Sequence, residues 1–203
     1  ISPDGLTYSN IAENFLQGNG LVNTANFAEG ADHSVEELPL SREYVVGPVY
    51  PLLLALVYGL FGFKNYGMVV VFQTLLSAGS AVIAYKTGEL LFGKKYAWVP
   101  FVLTLGYPLF ASWRMYVLTE TAYVFTIELF LYFLALYAKQ VKRSRFKTIL
   151  LLGAAIGVSN LVRPLLLLFF PVLGIWIFWL QRWHLKTALR DFGLVVMVTI
   201  LVM

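Results

Sequence analysis

Three charged side chains in this 203-residue sequence stand where chemistry could use them: Asp4, Glu120 and Arg163. Asp4 lies in Ser2-Pro-Asp4-Gly5, a turn-forming stretch ahead of an amphipathic pattern in which Tyr8, Ile11, Ala12, Phe15 and Leu16 recur at helical spacing. Ser9, Asn10, Glu13 and Asn14 then fall on another face. Such a helix lies on a membrane surface or packs on a partner. A carboxylate fixed at its start sits where a lipid-borne and a water-borne substrate can meet, and could take a proton from a hydroxyl there. The same Asp is also a good helix N-cap, so the residue alone leaves both roles open.

Glu120 follows Trp113-Arg114 and opens a long apolar run, where it serves either as a cavity acid or as a first-turn acid favoured by the helix dipole. Glu128 lies about 12 Å further along that helix, at a depth where charge is costly, so it is expected to be neutral or paired across to a neighbour. Arg163 precedes Pro164 between two apolar runs, where it either snorkels to lipid headgroups or binds a substrate phosphate. Arg42, Lys64 and Arg114 are the other cations on that side. His33 and His184 are isolated, and no metal-ligand spacing, phosphate loop, GxGxxG or GxSxG is present, which argues against a nucleotide enzyme or a serine hydrolase. With no cysteine there is neither a disulfide framework nor thiol chemistry.

The elements that must position these residues are set by hydrophobicity. The chain is 59% hydrophobic and 16% aromatic, far outside soluble composition, and this predicts an all-α, polytopic transmembrane helix bundle. Seven of the eleven acids fall before Gly47, marking an extramembrane region, and the domain division is 1–64 (external loop with amphipathic and juxtamembrane helices) and 65–203 (bundle). Spans are expected at Met68–Tyr85, Tyr96–Trp113 and Thr121–Ala138, with shorter runs at Thr148–Val162 and Leu165–Leu180, and Phe192–Met203 too short to cross. The sequence reads as part of a longer protein, with a helix expected before Ile1 and more chain after Met203. Pro100, Pro108 and Pro171 predict kinks, Gly153-Ala-Ala-Ile-Gly157 predicts close helix packing, and Trp176, Trp179 and Trp183 predict an interfacial belt.

Val49–Phe63 rises only about 22 Å as a helix, short of a hydrocarbon core of about 30 Å. If it is interfacial, eleven of the fifteen basic residues share one side, among them Lys94, Lys95, Lys142, Arg145 and Lys186, and the acidic 1–47 region faces the other. That arrangement satisfies the positive-inside rule, so an interfacial or re-entrant helix is expected at Pro51–Leu60.

In order along the chain, Asp4 with Tyr8-x-x-Ile-Ala-x-x-Phe-Leu-x-Gly18, Gly47-Pro-Val-Tyr-Pro51, Leu60-Phe-Gly62, Leu91-Phe-Gly-Lys-Lys95, Val117-Leu-Thr-Glu120 and Leu161-Val-Arg-Pro164 resemble the GT-C membrane glycosyltransferases. The nearest branch holds the protein O-mannosyltransferases and the lipid A aminoarabinose transferase. The resemblance implies a GT-C fold with interfacial helices in its first external loop. It makes Asp4 the catalytic carboxylate, lines the same cavity with Glu120, and sets Arg163, with Arg114, against the donor phosphate. Tyr8 joins them as a substrate-binding residue.

The implied reaction moves a sugar from a polyprenyl-phosphate donor to a lipid, glycan or protein acceptor outside a prokaryotic inner membrane, with inversion. Partners are thus the lipid-linked sugar, the acceptor and membrane lipids, and no nucleic acid. No cofactor is certain from the resemblance and a divalent metal is left open, while Gly5 stands where many members carry a second acid, so the metal or second-acid role of that neighbour has no residue here. The alternatives are a transporter or flippase for an amphipathic lipid, with Glu120, Glu128 and Arg163 as pathway charges, and a scaffold that has lost catalysis.

Overall fold

A computed structural model of the chain describes residues 3–23, 47–140, 145–181 and 184–203. Lys142, Arg143, Arg182, Trp183, Arg42, His33 and the acids Glu29, Asp32, Glu36, Glu37 and Glu43 lie outside them. Among the described residues the architecture is all-helical. Helix α1 spans Pro3–Leu16 and α2 spans Val49–Phe61, with the long α3 at Tyr66–Phe92. Then come α4 (Trp98–Gly106), α5 (Pro108–Trp113), α6 (Glu120–Lys139) and α7 (Phe146–Val162). A 3-10 turn at Leu166–Phe169 leads into α8 (Phe170–Leu180), and α9 (Leu185–Val202) follows.

Among the described residues two helices, α3 and α6, are long and apolar enough to cross a membrane. The expected span Tyr96–Trp113 is instead two short helices. Pro108 denies its N–H to the turn before it, and Tyr107 takes an extended conformation (φ −70°, ψ 118°), so the helix ends and restarts. Pro100 and Pro171 cause no break, because each sits in the first turn of its helix, where a missing N–H costs nothing. The last helix begins seven residues before Phe192 and is 18 residues long, since its charged first turns are tied into a buried network.

Side-chain contacts fix the directions of the helices. Gln73 Nε2 donates to Tyr116 O at 2.9 Å, and a Cβ on Gly79 would meet the Phe125 ring at 3.1 Å, so α3 and α6 run parallel. Helix α7 returns against α6, with Thr126 bonded to Ser159 at 3.1 Å near one end and Thr148 to Gln140 at 2.7 Å at the other. Helix α9 runs parallel to α7. Gly153 and Gly157 let the two backbones approach: a Cβ on Gly153 would lie 2.8 Å from Val195 O, and one on Gly157 2.7 Å from Val202 Cβ. Thr199 Oγ1 closes the contact by donating to Gly153 O at 3.1 Å. This is the small-residue packing that the glycine spacing predicts.

The alternation gives the bundle two chemically different ends. Lys94, Lys95, Lys139, Arg145, Lys147 and Lys186 gather at one; Lys64, Arg114, Glu120 and Arg163 gather at the other. At the basic end Asp191, only 1% exposed, accepts from Tyr137 Oη (2.9 Å), Gln181 Nε2 (2.7 Å) and Arg190 Nη2 (2.8 Å), with Arg145 Nη1 at 3.8 Å. Those bonds offset the desolvation of a carboxylate that would otherwise forbid its burial. Trp176 belongs to this inner cluster, its ring 6.1 Å from that of Tyr137, while Trp179 faces outward.

Candidate active site

At the opposite end α1 and α2 pack side by side against the bundle. The apolar stripe expected on α1 is only partly right. Ile11 and Ala12 are buried, but Phe15 and Leu16 are more than 40% exposed, and Ser9 and Asn14 are buried in their place. Hydrogen bonds make that burial possible: Ser9 Oγ is hydrogen-bonded to Tyr58 Oη at 3.0 Å, and Asn14 Nδ2 donates to Val22 O at 3.0 Å. Lys64 pairs with Glu13 at 3.3 Å at the far end of the two helices. With the helix beginning at Pro3, Asp4 lies inside the first turn, exposed, where a carboxylate suits the helix dipole.

Helix α2 is 13 residues, or about 20 Å, long and ends at Gly62, whose φ of 96° only glycine adopts readily. Its N-terminus is pressed onto the end of α7. A Cβ on Gly47 would collide with Leu161 O and lie 2.6 Å from Val162 O. Because the glycine permits that approach, Tyr50 enters one buried cluster with Ala12 of α1, Val117 and Ala122 beside Glu120, and Val162 beside Arg163. The Tyr8 ring meets the Tyr50 ring edge-on, centroids 5.2 Å apart.

Arg163 and Glu120 form one unit. Arg163 caps α7 in an extended conformation (φ −148°, ψ 126°), as the following proline demands. Its Nη2 donates to Glu120 Oε1 at 2.7 Å and its Nε to Thr119 Oγ1 at 2.7 Å, leaving Nη1 uncommitted. The pair is partly open, with 33% and 21% of the side chains exposed, so its charges remain accessible to a ligand. Glu120 Oε2 and Tyr50 Oη are buried and make no hydrogen bond. Burial above all holds the Tyr50 hydroxyl well above the ordinary phenol range. Tyr58, Tyr8 and Glu120 push the same way, against the Leu118 backbone, which approaches without closing a well-formed bond.

The structure thus brings Tyr8, Glu120 and Arg163 together through Tyr50. Asp4 lies one helical turn from Tyr8, at the i, i+4 spacing that puts side chains on one face. Among the described residues Arg114, at the end of α5, has no ion-pair partner. Glu128 is half-buried in α6 and also lacks an ion-pair partner among the described residues. No group of three His, Asp or Glu converges among the described residues. Two members of this site escaped sequence reasoning. Thr119 and Tyr50 both lie in motifs noted above, and the glycine-proline-aromatic sequence Gly47-Pro-Val-Tyr50 was the available signal.

Residues 45–203 match the family model described as dolichyl-phosphate-mannose-protein mannosyltransferase. The chain belongs to that family. Membership implies a glycosyltransferase, acting in general on a lipid-linked sugar donor and an acceptor, and agrees with a membrane location for the two long apolar helices. The match takes in Tyr50, Glu120 and Arg163 and leaves α1, with Asp4 and Tyr8, outside. No curated protein and no solved structure matches the chain significantly.

Proposed function

We propose that the protein transfers a sugar from a polyprenyl-phosphate donor to an acceptor hydroxyl on the outer face of a prokaryotic inner membrane. The observation that carries this reading is the Arg163–Glu120 pair, held by Thr119 at the bundle end that lacks the basic cluster. A multi-pass GT-C bundle puts that end outside by the positive-inside rule, with α1 and α2 as interfacial helices on it.

Asp4 is the base in this mechanism. Its carboxylate takes the proton of the acceptor hydroxyl as the oxygen attacks the anomeric carbon. The bond from that carbon to the phosphate oxygen breaks, and polyprenyl phosphate leaves with the electron pair. Arg163 meets the growing negative charge through Nη1, while Glu120 and Thr119 hold the guanidinium in one orientation. A single displacement inverts the anomeric configuration. Arg114, without an ion-pair partner among the described residues, supplies a second cation to the phosphate, and Tyr8, edge-on to Tyr50 and one turn from Asp4, contacts the substrate between them.

The test is Asp4→Asn in the full-length protein. An amide cannot accept the proton, so transfer should fall by about 10² to 10⁴ with donor binding retained. Near-normal transfer would remove Asp4 from the chemistry.

A further inference from the structure

Two buried polar atoms at the Glu120–Arg163 site lack hydrogen bonds, and they come from different helices: Tyr50 Oη of α2 and Glu120 Oε2 of α6. Unsatisfied buried groups of this kind are rare, since each forfeits its hydration. Tyr50 is 2% exposed and wedged among Tyr8, Val117, Ala122 and Val162, so its hydroxyl cannot turn out to water. The approach that puts it there is permitted by Gly47, which has no side chain to meet the α7 carbonyls.

The chemical characters of the two atoms are complementary. A phenol donates one hydrogen and accepts; a carboxylate oxygen only accepts. A group that satisfies both must accept from Tyr50 and donate to Glu120, which is the pattern of a hydroxyl. A phosphate oxygen does not fit, because it has no proton to give Glu120 and is repelled by it. We infer that Tyr50 and Glu120 Oε2 form a hydroxyl-reading subsite that binds the sugar of the lipid-linked donor. The inference rests on the proposed function: with the donor phosphate on Arg163, the attached sugar is the hydroxyl-bearing group nearest the subsite. A phenol keeps its proton at neutral pH even in water, so the Tyr50 hydroxyl is available as a donor.

The experiment is a donor titration without acceptor, using the full-length protein in lipid nanodiscs. The probes are dolichyl-phosphate mannose and analogues in which each sugar hydroxyl is removed in turn. Tyr50→Phe keeps the ring and its packing and removes only the hydroxyl. It should weaken binding of the parent donor roughly tenfold, the scale of a buried neutral hydrogen bond. One deoxy analogue should show a larger loss on the wild type than Tyr50→Phe shows with the parent donor, and a smaller further loss on Tyr50→Phe than on the wild type, because only the bond to Glu120 is then left to lose. Tyr58→Phe, on the same helix but bonded to Ser9, controls for folding and should bind the parent donor within about twofold of wild type. If the wild type binds and Tyr50→Phe matches it across the series, the subsite is wrong and the parent reading stands. If the wild type binds no lipid-linked sugar, both fall.

Discussion

Gly47→Ala tests whether the approach of α2 to α7 builds the site. The added Cβ would lie 2.6 Å from Val162 O, about 0.8 Å short of the 3.4 Å at which ordinary contact begins, and closer still to Leu161 O. Both obstacles are backbone carbonyls at the end of a helix, so they cannot swing aside as a side-chain tip would. The N-terminus of α2 must therefore retreat by about 1 Å, and overpacking of this kind costs about 1–3 kcal/mol. The retreat draws Tyr50 away from Glu120, and a displacement of about 1 Å can cost about 10² in rate. Thermal unfolding of the full-length protein in detergent, with transfer from a polyprenyl-phosphate sugar alongside, separates the two effects. A modest loss of stability with a far larger loss of transfer is expected. Wild-type stability and transfer would refute the packing argument, because the chain would then have room that the carbonyl positions deny.

The other expectations are shorter. Arg163→Ala should abolish most transfer and also leave Glu120 without its partner, while Arg163→Lys should recover only part, since an ammonium keeps the charge but cannot bond Thr119 and Glu120 in a fixed fork; steady-state kinetics checks both. Gly157→Leu should destabilise the α7–α9 contact, because even a Cβ there meets Val202 at 2.7 Å, and a lowered melting temperature is the readout. Asp191→Ala should cost several kcal/mol, or prevent folding, by stranding Tyr137 and Gln181 and removing the carboxylate that faces the largely buried Arg145, and expression with thermal melting would reveal a neutral outcome. Single cysteines at exposed Lys147 and Lys64 should differ in labelling by a membrane-impermeant reagent added outside, with position 64 reactive and position 147 protected; the reverse would overturn the sidedness.

Much of the fold was legible because apolar runs between charged connectors are a strong signal. Thr121–Ala138 and Thr148–Val162 match α6 and α7 within two residues, and the Gly153/Gly157 spacing gave the α7–α9 contact. Periodicity was less informative about faces. Ser9 and Asn14 count as polar in any pattern, yet each found a buried partner, Tyr58 or the Val22 carbonyl, and displaced Phe15 and Leu16 from the inside. The start of α9 was hidden for the same reason: Lys186, Arg190 and Asp191 interrupt hydropathy, and only Tyr137 and Gln181, distant in sequence, make the burial of Asp191 tolerable. In the candidate site, Glu120 and Arg163 were visible singly as charges against expectation. Their pairing across 43 residues, and the insertion of Tyr50 beside them, depend on α2 folding onto the end of α7, which no local pattern encodes.

The proposed function requires this end of the bundle to bind a lipid-linked sugar with its phosphate on Arg163. A cryo-EM map of the full-length Asp4→Asn protein in nanodiscs with a polyprenyl-phosphate sugar tests it most directly. Phosphate density is expected within hydrogen-bond reach of Arg163, with the sugar against Tyr50 and Glu120 and the anomeric carbon open toward residue 4. A donor phosphate seated elsewhere, with the Arg163–Glu120 pair closed and untouched, would contradict it.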